Sequence, residues 1–397
     1  MARDRLINGY THTGQVELGE QRINEWLLLV EQPNDRAEIL LLQAQLLLGT
    51  NQFAEGRKIL DAILTLDILP GTKSRAYYFK GNAFYQEHQY TEALKAYNAA
   101  LPLANQADVK GNLVYQIGLC HFLAEEYVPA AFDAFQRLIA EFPENTNREY
   151  AFYYRAFSQM NANNWDEAIN YFMAFKDNFR ESILIQEVTF QIGEAYYNAK
   201  DYPKAVEWYS DVHDSTLVPQ SLYNIAWSLV QMTHSDSAMT YFQRVATEFP
   251  QSDFAVFSQF TVGDFYYNKK DYLPAVAAYE KVVQRYPGHE LAAKAADLIE
   301  EIGEIESYLA YEKAMVYFDD EDWPKAIEEL EKVLEKYSKN SVAVGTLVNI
   351  GSAYEQLGKY QKALEYFDRV VTEYQTNTAE SEAITFAKDH AEWIRRK

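Results

Sequence analysis

The chain has 397 residues, well above the usual size of one compact domain, so it must divide into domains or extend by repetition. Its 58 acidic residues outnumber 36 basic ones and give a net charge of −22, which excludes a polyanionic partner such as nucleic acid, because phosphates are bound by clustered lysine and arginine. A single cysteine, Cys120, excludes an internal disulfide and a thiolate metal cluster. No run of 18 apolar residues is present, so we expect no insertion into a membrane.

One pattern of small and bulky residues recurs along the whole chain. A small residue follows an aromatic one by three positions, and a bulky apolar residue comes four positions later. The spacing between copies is most often 37 residues, and the small residues are Gly19, Gly56, Ala93, Ala131, Ala168, Ala205, Ala238, Ala275, Ala326 and Ala363. Spacings of three and four lie on one face of a helix, and another small residue stands twelve positions earlier in most copies. Each copy therefore predicts two helices that approach closely through small residues.

The predicted pairs begin with residues 1–33, which fit a complete copy whose first helix starts almost at the first residue. Because repeat arrays normally have covered ends, we expect either that the chain is trimmed from a longer protein or that this pair packs on something else. In the following pairs an aromatic residue such as Trp165 occupies the bend between the helices. The copy at Ser235 has serine there, which predicts a looser turn.

The last two copies are preceded by a spacing of 51 residues instead of 37. We interpret residues 289–301 as an additional helix that covers the end of one array. The predicted division is therefore residues 1–303, eight pairs and the closing helix, and residues 304–397, two pairs and a C-terminal helix. The alternative is an irregular long helix that continues a single array.

The combined pattern resembles the tetratricopeptide repeat, and ten copies in register cover nearly the whole chain. The resemblance implies an all-α fold, a right-handed superhelical solenoid of about ten helix pairs. Two features depart from the family pattern: the common period is 37 residues instead of 34, and the tryptophan usual early in the first helix is absent.

In tetratricopeptide folds the first helices line the concave face, where ligands commonly bind. Two positions on these helices are seven residues apart and share one face. Both are mostly aromatic, and the predicted groove residues are Tyr78, Tyr85, Tyr115, Tyr153, Phe190, Tyr197, Tyr223, Phe260, Tyr267 and Tyr311. Tyrosine combines a large contact area with a hydroxyl group, which suits a binding surface. The alternative is that these rings only pack neighbouring first helices together.

The same positions bear on one specialisation of the family. Members that bind the C-terminal carboxylate tail of chaperones use lysine and arginine on these helices, helped by asparagine. Asn82 matches such an asparagine in place, but its partner position is Tyr78. We therefore expect that this tail is not a ligand.

No motif for catalysis or for a cofactor is present. The chain has no phosphate-binding GxxxxGK[ST] loop, no GxGxxG, no GxSxG and no HExxH. The acidic run Asp319–Trp323 lacks the alternating ligands of a calcium loop and is more typical of a solvated turn before a helix. We expect no cofactor, no metal site and no enzymatic activity.

The sequence thus predicts a non-catalytic scaffold that binds a protein or peptide, neutral or basic in charge, in an aromatic groove. The alternative is the recruiting or regulatory portion of a larger multidomain enzyme. The junctions "EFPQSDFAVFSQF" and "RYPGHELAAKAA" are similar to those of bacterial envelope proteins, the outer-membrane assembly lipoprotein and the Tol–Pal coordinator. This similarity favours the periplasm or outer membrane over a bacterial cytoplasmic scaffold.

Overall fold

The computed structural model describes residues 2–397, and all regular secondary structure within them is helical. The chain divides into an N-terminal unit, up to Ser235, and a C-terminal unit, Asp236–Lys397. The N-terminal unit contains α1 (Ala2–Thr13), α2 (Val16–Leu27), α3 (Pro33–Gly49), α4 (Phe53–Leu64), α5 (Pro70–Gln86), α6 (Tyr90–Ala100), α7 (Ala107–Leu123), α8 (Phe132–Glu141), α9 (Arg148–Asn161), α10 (Trp165–Asn178), α11 (Ile185–Asn198), α12 (Tyr202–Ser210) and α13 (Val218–Gln231).

The C-terminal unit continues the alternation of first and second helices. Its helices are α14 (Ser235–Glu248), α15 (Asp253–Asn268), α16 (Tyr272–Arg285), α17 (Glu290–Asp319), α18 (Trp323–Tyr337), α19 (Ala343–Gln356), α20 (Tyr360–Glu373) and α21 (Ser381–Arg396). The predicted all-α class is therefore confirmed. The division between the units falls at Ser235. The looser turn that the sequence predicts there is not found, because Thr233 has the same left-handed conformation, with a φ angle of 62°, as the equivalent residues of the other turns.

Contacts within each unit follow the order of the helices. Successive helices such as α5 and α6 pack together, and first helices of neighbouring pairs also touch, as α3 touches α5 and α15 touches α17. Such nearest-neighbour packing is typical of a solenoid, in which no pair can bury its apolar face alone.

In five of the pairs an aromatic ring from the second helix lies against a glycine of the first. At Gly263 an added Cβ atom would lie 2.3 Å from Cε1 of Tyr279, far inside van der Waals contact. The glycines Gly81, Gly193 and Gly351 meet the rings of Tyr97, Tyr209 and Phe367 in the same way, at 2.5–2.7 Å. The small residue of the first helix is thus required, because the two helices of the pair approach each other closely there.

A tight turn joins the two helices of a pair, and one residue in it adopts the left-handed conformation. Its φ angle is 59–64° at Asn51, His88, Glu125, Asn163, Lys200, Thr233, Lys270 and Glu321, and 68–70° at Gly14 and Gly358. A left-handed residue after a helix ends the helix and turns the chain back on itself. Most of these residues have a side chain, and for them the left-handed conformation costs about 1–2 kcal/mol more than it would for glycine.

The region of the long spacing is one continuous helix of 30 residues, α17. Its first half packs through Ala295 and Ile302 into the cluster around Tyr279, and its second half packs through Ala314 into the cluster around Leu330. The separate closing helix that we expected over residues 289–301 does not form. Instead, α17 packs against α16 with its first half and against α18 with its second half. The boundary at 303/304 falls inside this helix, and the two-array division stays a prediction.

The contact at Gly263 gives a direct test of the repeat register. We expect Gly263→Ala to lower the free energy of unfolding by about 1–3 kcal/mol, because the new methyl group forces Tyr279 and the two helices apart. Gly9→Ala is the matched control, since nothing lies within 4 Å of its added Cβ atom and alanine favours a helix by roughly 1 kcal/mol. Urea denaturation followed by circular dichroism measures both variants. Equal stability of Gly263→Ala and wild type would contradict the packing.

Candidate functional site

The first row of predicted groove residues lies three positions before the small residue of the first helix. Five of its seven rings pack on the marker ring of the second helix in their own pair. Ring centroids are separated by 6.0 Å for Tyr78–Tyr97, 6.1 Å for Tyr115–Phe135, 6.1 Å for Tyr153–Phe172, 5.6 Å for Phe190–Tyr209 and 5.4 Å for Phe260–Tyr279. These edge and tilted geometries stabilise aromatic pairs. One side of each of these five rings therefore stabilises its own helix pair.

The second row, four positions after the small residue, packs on the aromatic residue at the bend. The rings of Tyr197 and Tyr202 are 5.5 Å apart, and the pairs Tyr85–Tyr90 and Tyr267–Tyr272 are 5.9 and 6.1 Å apart. These three rings thus pack against the bend of their own pair, and the hydroxyl of Tyr267 also reaches Glu301 of the next first helix.

Burial separates the ten predicted groove residues into two classes. The eight tyrosines are half-buried, so each keeps part of its surface open to solvent. Phe190 and Phe260 are only 4% and 6% exposed. These two rings lie in the core of their pairs, because phenylalanine has no hydroxyl that must reach water or a polar partner. They support the surface that the tyrosines form.

Five of the groove tyrosines have hydroxyls that are held in the neutral form. Burial raises the pKa of Tyr85, Tyr115, Tyr153, Tyr197 and Tyr311 above the ordinary value of 10. A neutral hydroxyl both donates and accepts hydrogen bonds. Two groove tyrosines of the C-terminal unit form such hydrogen bonds. The hydroxyl of Tyr267 donates to Glu301 at 2.6 Å, and this hydrogen bond raises the pKa of Tyr267. The hydroxyl of Tyr311 accepts from the side-chain amide of Asn349 at 2.7 Å.

A set of polar residues on the same face was missed as a group by the sequence analysis. It lies one position after the small residue of the first helix, where a tyrosine hydroxyl from the second helix arrives. The donor–acceptor distances are 2.7 Å for Tyr97 to Asn82, 2.6 Å for Tyr209 to Glu194 and 2.7 Å for Tyr279 to Asp264. Each ring crosses its helix pair, and its hydroxyl fixes a polar group beside the groove rings.

The sequence does carry a signal for these pairs. Asn82, Glu194 and Asp264 each stand 15 residues before a tyrosine. In the pair whose second helix carries Phe172 instead, the corresponding residue is the apolar Phe157. A polar group is thus present where a buried hydroxyl needs a partner, because an unsatisfied hydroxyl would cost about 1–3 kcal/mol.

Glu194 is the most unusual member of the set. Its Oε1 accepts hydrogen bonds from the Tyr209 hydroxyl and from the Asn224 side-chain amide of α13, the next first helix. Burial raises the pKa of Glu194 above 4.5, the two hydrogen bonds oppose this shift, and the nearby charge of Glu187 adds to it. No other hydrogen bond or ion pair to Glu194 occurs within residues 2–397.

Open space lies between neighbouring first helices at this level. A cavity of about 390 Å³ between α3 and α5 is lined by residues that include Asn82, Gln45, Gln86, Phe79 and Leu48. Amides can donate and accept hydrogen bonds with a peptide backbone, and the apolar residues provide contact area. The residues that line this cavity include no nucleophile and no acid–base pair, and their side chains suit the binding of a peptide.

The remaining candidate chemistry is sparse. Within residues 2–397 no three histidine, cysteine, aspartate or glutamate side chains converge as metal ligands, and no helix is long and apolar enough to cross a bilayer. Burial raises the pKa of the Cys120 thiol to about 12, so the reactive thiolate is scarce at neutral pH.

The repeat pattern matches known family models. Tetratricopeptide repeat models match residues 41–108, 150–182, 220–252, 258–289 and 306–376, which together make up more than half of the chain. The chain belongs to the tetratricopeptide repeat family. Proteins of this family are in general scaffolds for protein interactions. No curated protein matches the chain.

Two solved structures show the same fold class. The C-terminal part of a TPR repeat-containing protein from Cytophaga hutchinsonii is 17% identical, with a TM-score of 0.51, and the match covers 64% of this chain and 98% of that one. The apo form of RapI is 14% identical, with a TM-score of 0.54, and the match covers 90% of this chain and 98% of that one. At these identities the similarity concerns the fold alone.

The environment of Glu194 predicts an unusual pH dependence. A raised pKa means that the folded chain binds this proton more tightly than the unfolded chain, so the neutral form stabilises the fold. That contribution is present below the ordinary pKa of 4.5 and is lost as pH rises through the raised value. Glu194→Gln, which is neutral at every pH, should melt at a higher temperature than wild type at pH 7.5.

The difference in melting temperature should narrow as the pH is lowered towards 4.5. Glu207→Gln, on the exposed face of α12 in the same repeat, removes the same charge and controls for net charge. A Glu194→Gln variant that melts below wild type at pH 7.5, or a difference that does not change with pH, would contradict the assignment.

Proposed function

We propose that the chain is a non-catalytic scaffold that binds an extended or helical segment of another protein on its first helices. The binding residues of this proposal are the tyrosines Tyr78, Tyr85, Tyr115, Tyr153, Tyr197, Tyr223, Tyr267 and Tyr311, with Phe190 and Phe260 beneath them. The observation that carries the proposal is that all eight tyrosines are half-buried while most of them also pack against the second helix or the bend of their own pair. The rings that do so are Tyr78, Tyr85, Tyr115, Tyr153, Tyr197 and Tyr267.

The physical properties of these tyrosines suit protein recognition. Their rings are held by neighbouring rings, so a ligand that stacks on them loses little further side-chain entropy. Their hydroxyls can form hydrogen bonds with a peptide backbone. Both extended-segment and helix-in-groove binding fit such a surface.

Charge supports the choice of partner. A net charge of −22 favours neutral or basic partners over acidic ones and speeds their capture at low salt. In the N-terminal unit, Arg75 of α5 is already engaged by Glu38 of α3, and the position that would hold a clamp lysine is Tyr78. We therefore propose that neither nucleic acid nor a terminal carboxylate is the ligand.

The cellular location follows from the junction resemblance alone. We propose a bacterial cell envelope location, periplasmic or associated with the outer membrane, with the cytoplasm as the alternative. Fractionation of the native organism with an antibody to the chain tests this part, and recovery in the cytoplasmic fraction would contradict it.

The groove assignment predicts which side of a first helix meets the partner. Tyr197 and Tyr196 are adjacent on α11 and both half-buried. Tyr197 belongs to the groove row, whereas Tyr196 lies under the ammonium group of Lys204 from the second helix, 5.0 Å from its ring centre. A photo-crosslinking amino acid at position 197 should capture the partner in the native host, and the same residue at position 196 should not.

The affinity of the purified partner should change in parallel. Tyr197→Ala should weaken binding by about 2 kcal/mol, the scale of an aromatic hot spot, and Tyr196→Ala should change it less than about threefold. Circular dichroism of both variants controls for loss of helix. Crosslinking through position 196 but not 197 would place the partner on the other face and overturn the proposed function.

A further inference from the structure

Two carboxylates on α11 of the N-terminal unit have no oppositely charged side chain of the described chain paired with them. Glu187 and Glu194 stand two helical turns apart on α11, and Gln191 between them donates to Glu187 at 2.8 Å. Neither carboxylate forms an ion pair with a lysine, arginine or histidine of residues 2–397. The contrast is the Glu38–Arg75 pair between α3 and α5, where neighbouring first helices neutralise each other.

The hydrogen bonds of Glu194 leave one oxygen available. Both internal donors, Tyr209 and Asn224, reach Oε1. Oε2 has no donor within the described chain, although burial disfavours the ionised group. A carboxylate held on one side and unpaired on the other is preorganised for one further, charge-assisted hydrogen bond.

The equivalent site of the C-terminal unit contains a cation from the chain itself. Asp264 has the same position as Glu194, accepts from Tyr279 in the same way and is also raised in pKa by burial. Here the ammonium charge of Lys294 on α17 opposes the effect of burial. The Nζ atom of Lys294 lies 5.2 Å from the ring centre of Phe260, so the cation contacts an aromatic face while its charge acts on the nearby carboxylate.

Aromatic rings also surround the site at Glu194. Burial raises the pKa of Tyr197, and the nearby Tyr202, Glu194 and Tyr223 add to the rise. The ring of Phe190 packs on that of Tyr209, with the centroids 5.6 Å apart. Rings beside a carboxylate favour a weakly hydrated cation, and a guanidinium loses less hydration than an ammonium.

We propose that Glu194, on the same helix as Tyr197, binds an arginine or lysine side chain of the partner segment. The inference rests on the proposed function and names a chemical feature of its ligand. The partner's cation takes the place that Lys294 occupies beside Asp264, donates to Oε2 of Glu194 and lies against the tyrosine rings. Arginine binds more tightly than lysine, because its guanidinium is more weakly hydrated and stacks on aromatic faces.

Peptide mixtures of defined charge test the proposal without knowledge of the partner. The probes are fluorescent heptapeptides, acetylated and amidated at their ends, with arginine, lysine or glutamine at the central position and mixed uncharged residues elsewhere. A fourth mixture has central glutamine and a free N-terminal amine, which separates a terminal ammonium from a side chain. Fluorescence anisotropy with the full chain measures each affinity.

We expect wild type to bind the arginine mixture at least about tenfold more tightly than the acetylated glutamine mixture, with lysine between them. In Glu194→Gln the preference should fall below about threefold. Glu207→Gln, which removes an exposed charge from the second helix of the same repeat, should keep the wild-type preference. A loss in Glu194→Gln alone identifies the carboxylate and excludes a general effect of net charge.

Several results would overturn the proposal. These are equal binding of the arginine and glutamine mixtures, an unchanged preference in Glu194→Gln, a preference for the free amine over the arginine side chain, and no measurable binding of any mixture. The crosslinking at positions 196 and 197 is independent of them. Groove crosslinking together with no arginine preference would reject the cation site and leave the proposed function intact.

Discussion

The structure depends on the contact between a second-helix side chain and a small residue of the first helix. At Gly193 and Gly263 the tyrosine ring occupies the space where a Cβ atom would stand. Since no larger residue fits, the two helices approach closely, and each pair presents its first helix to the next. Repetition of this one contact explains both the fold and the spacing of residues in the sequence.

The same contact positions the polar groups of the candidate site. The ring of Tyr209 lies on Gly193, and its hydroxyl reaches Glu194, the next residue of that helix. In the proposed function packing and recognition are thus coupled, because the residue that joins the pair also orients a carboxylate beside the groove tyrosines. Burial of that carboxylate costs stability, which is common where a protein keeps a group for binding.

The sequence was sufficient to predict the helix pairs and their register, because small and aromatic residues at fixed distances are a direct consequence of the packing. It was not sufficient to predict that α17 runs unbroken, since a helix that packs on neighbours at both ends shows the same helical periodicity as two separate helices. The burial of Phe190 and Phe260 could not be predicted from periodicity, which places them in the same rows as the half-buried tyrosines.

The candidate site was predictable only in part. The rows of tyrosines follow from helical spacing, but their contacts with second-helix and bend rings depend on the distance between helices. The pairing of Glu194 with Tyr209 and of Asp264 with Tyr279 was visible as a spacing of 15 residues. This spacing can be interpreted only when it is known that each tyrosine ring crosses from the second helix to the first. The absence of a cation beside Glu194 depends on the side chains of three neighbouring helices together.

The central claim, that a ring packed across the helix pair sets the chemistry of the groove, is tested most directly by the pKa of Glu194. NMR titration of ¹³C-labelled glutamate carboxyls, with Glu194→Gln used to assign the signal, measures this value in wild type and in Tyr209→Phe. The account predicts a pKa above 4.5 in wild type and a further rise in Tyr209→Phe, because the ring remains while the hydrogen bond to the ionised carboxylate is lost. A pKa at the ordinary value, or one that Tyr209→Phe leaves unchanged, would contradict it.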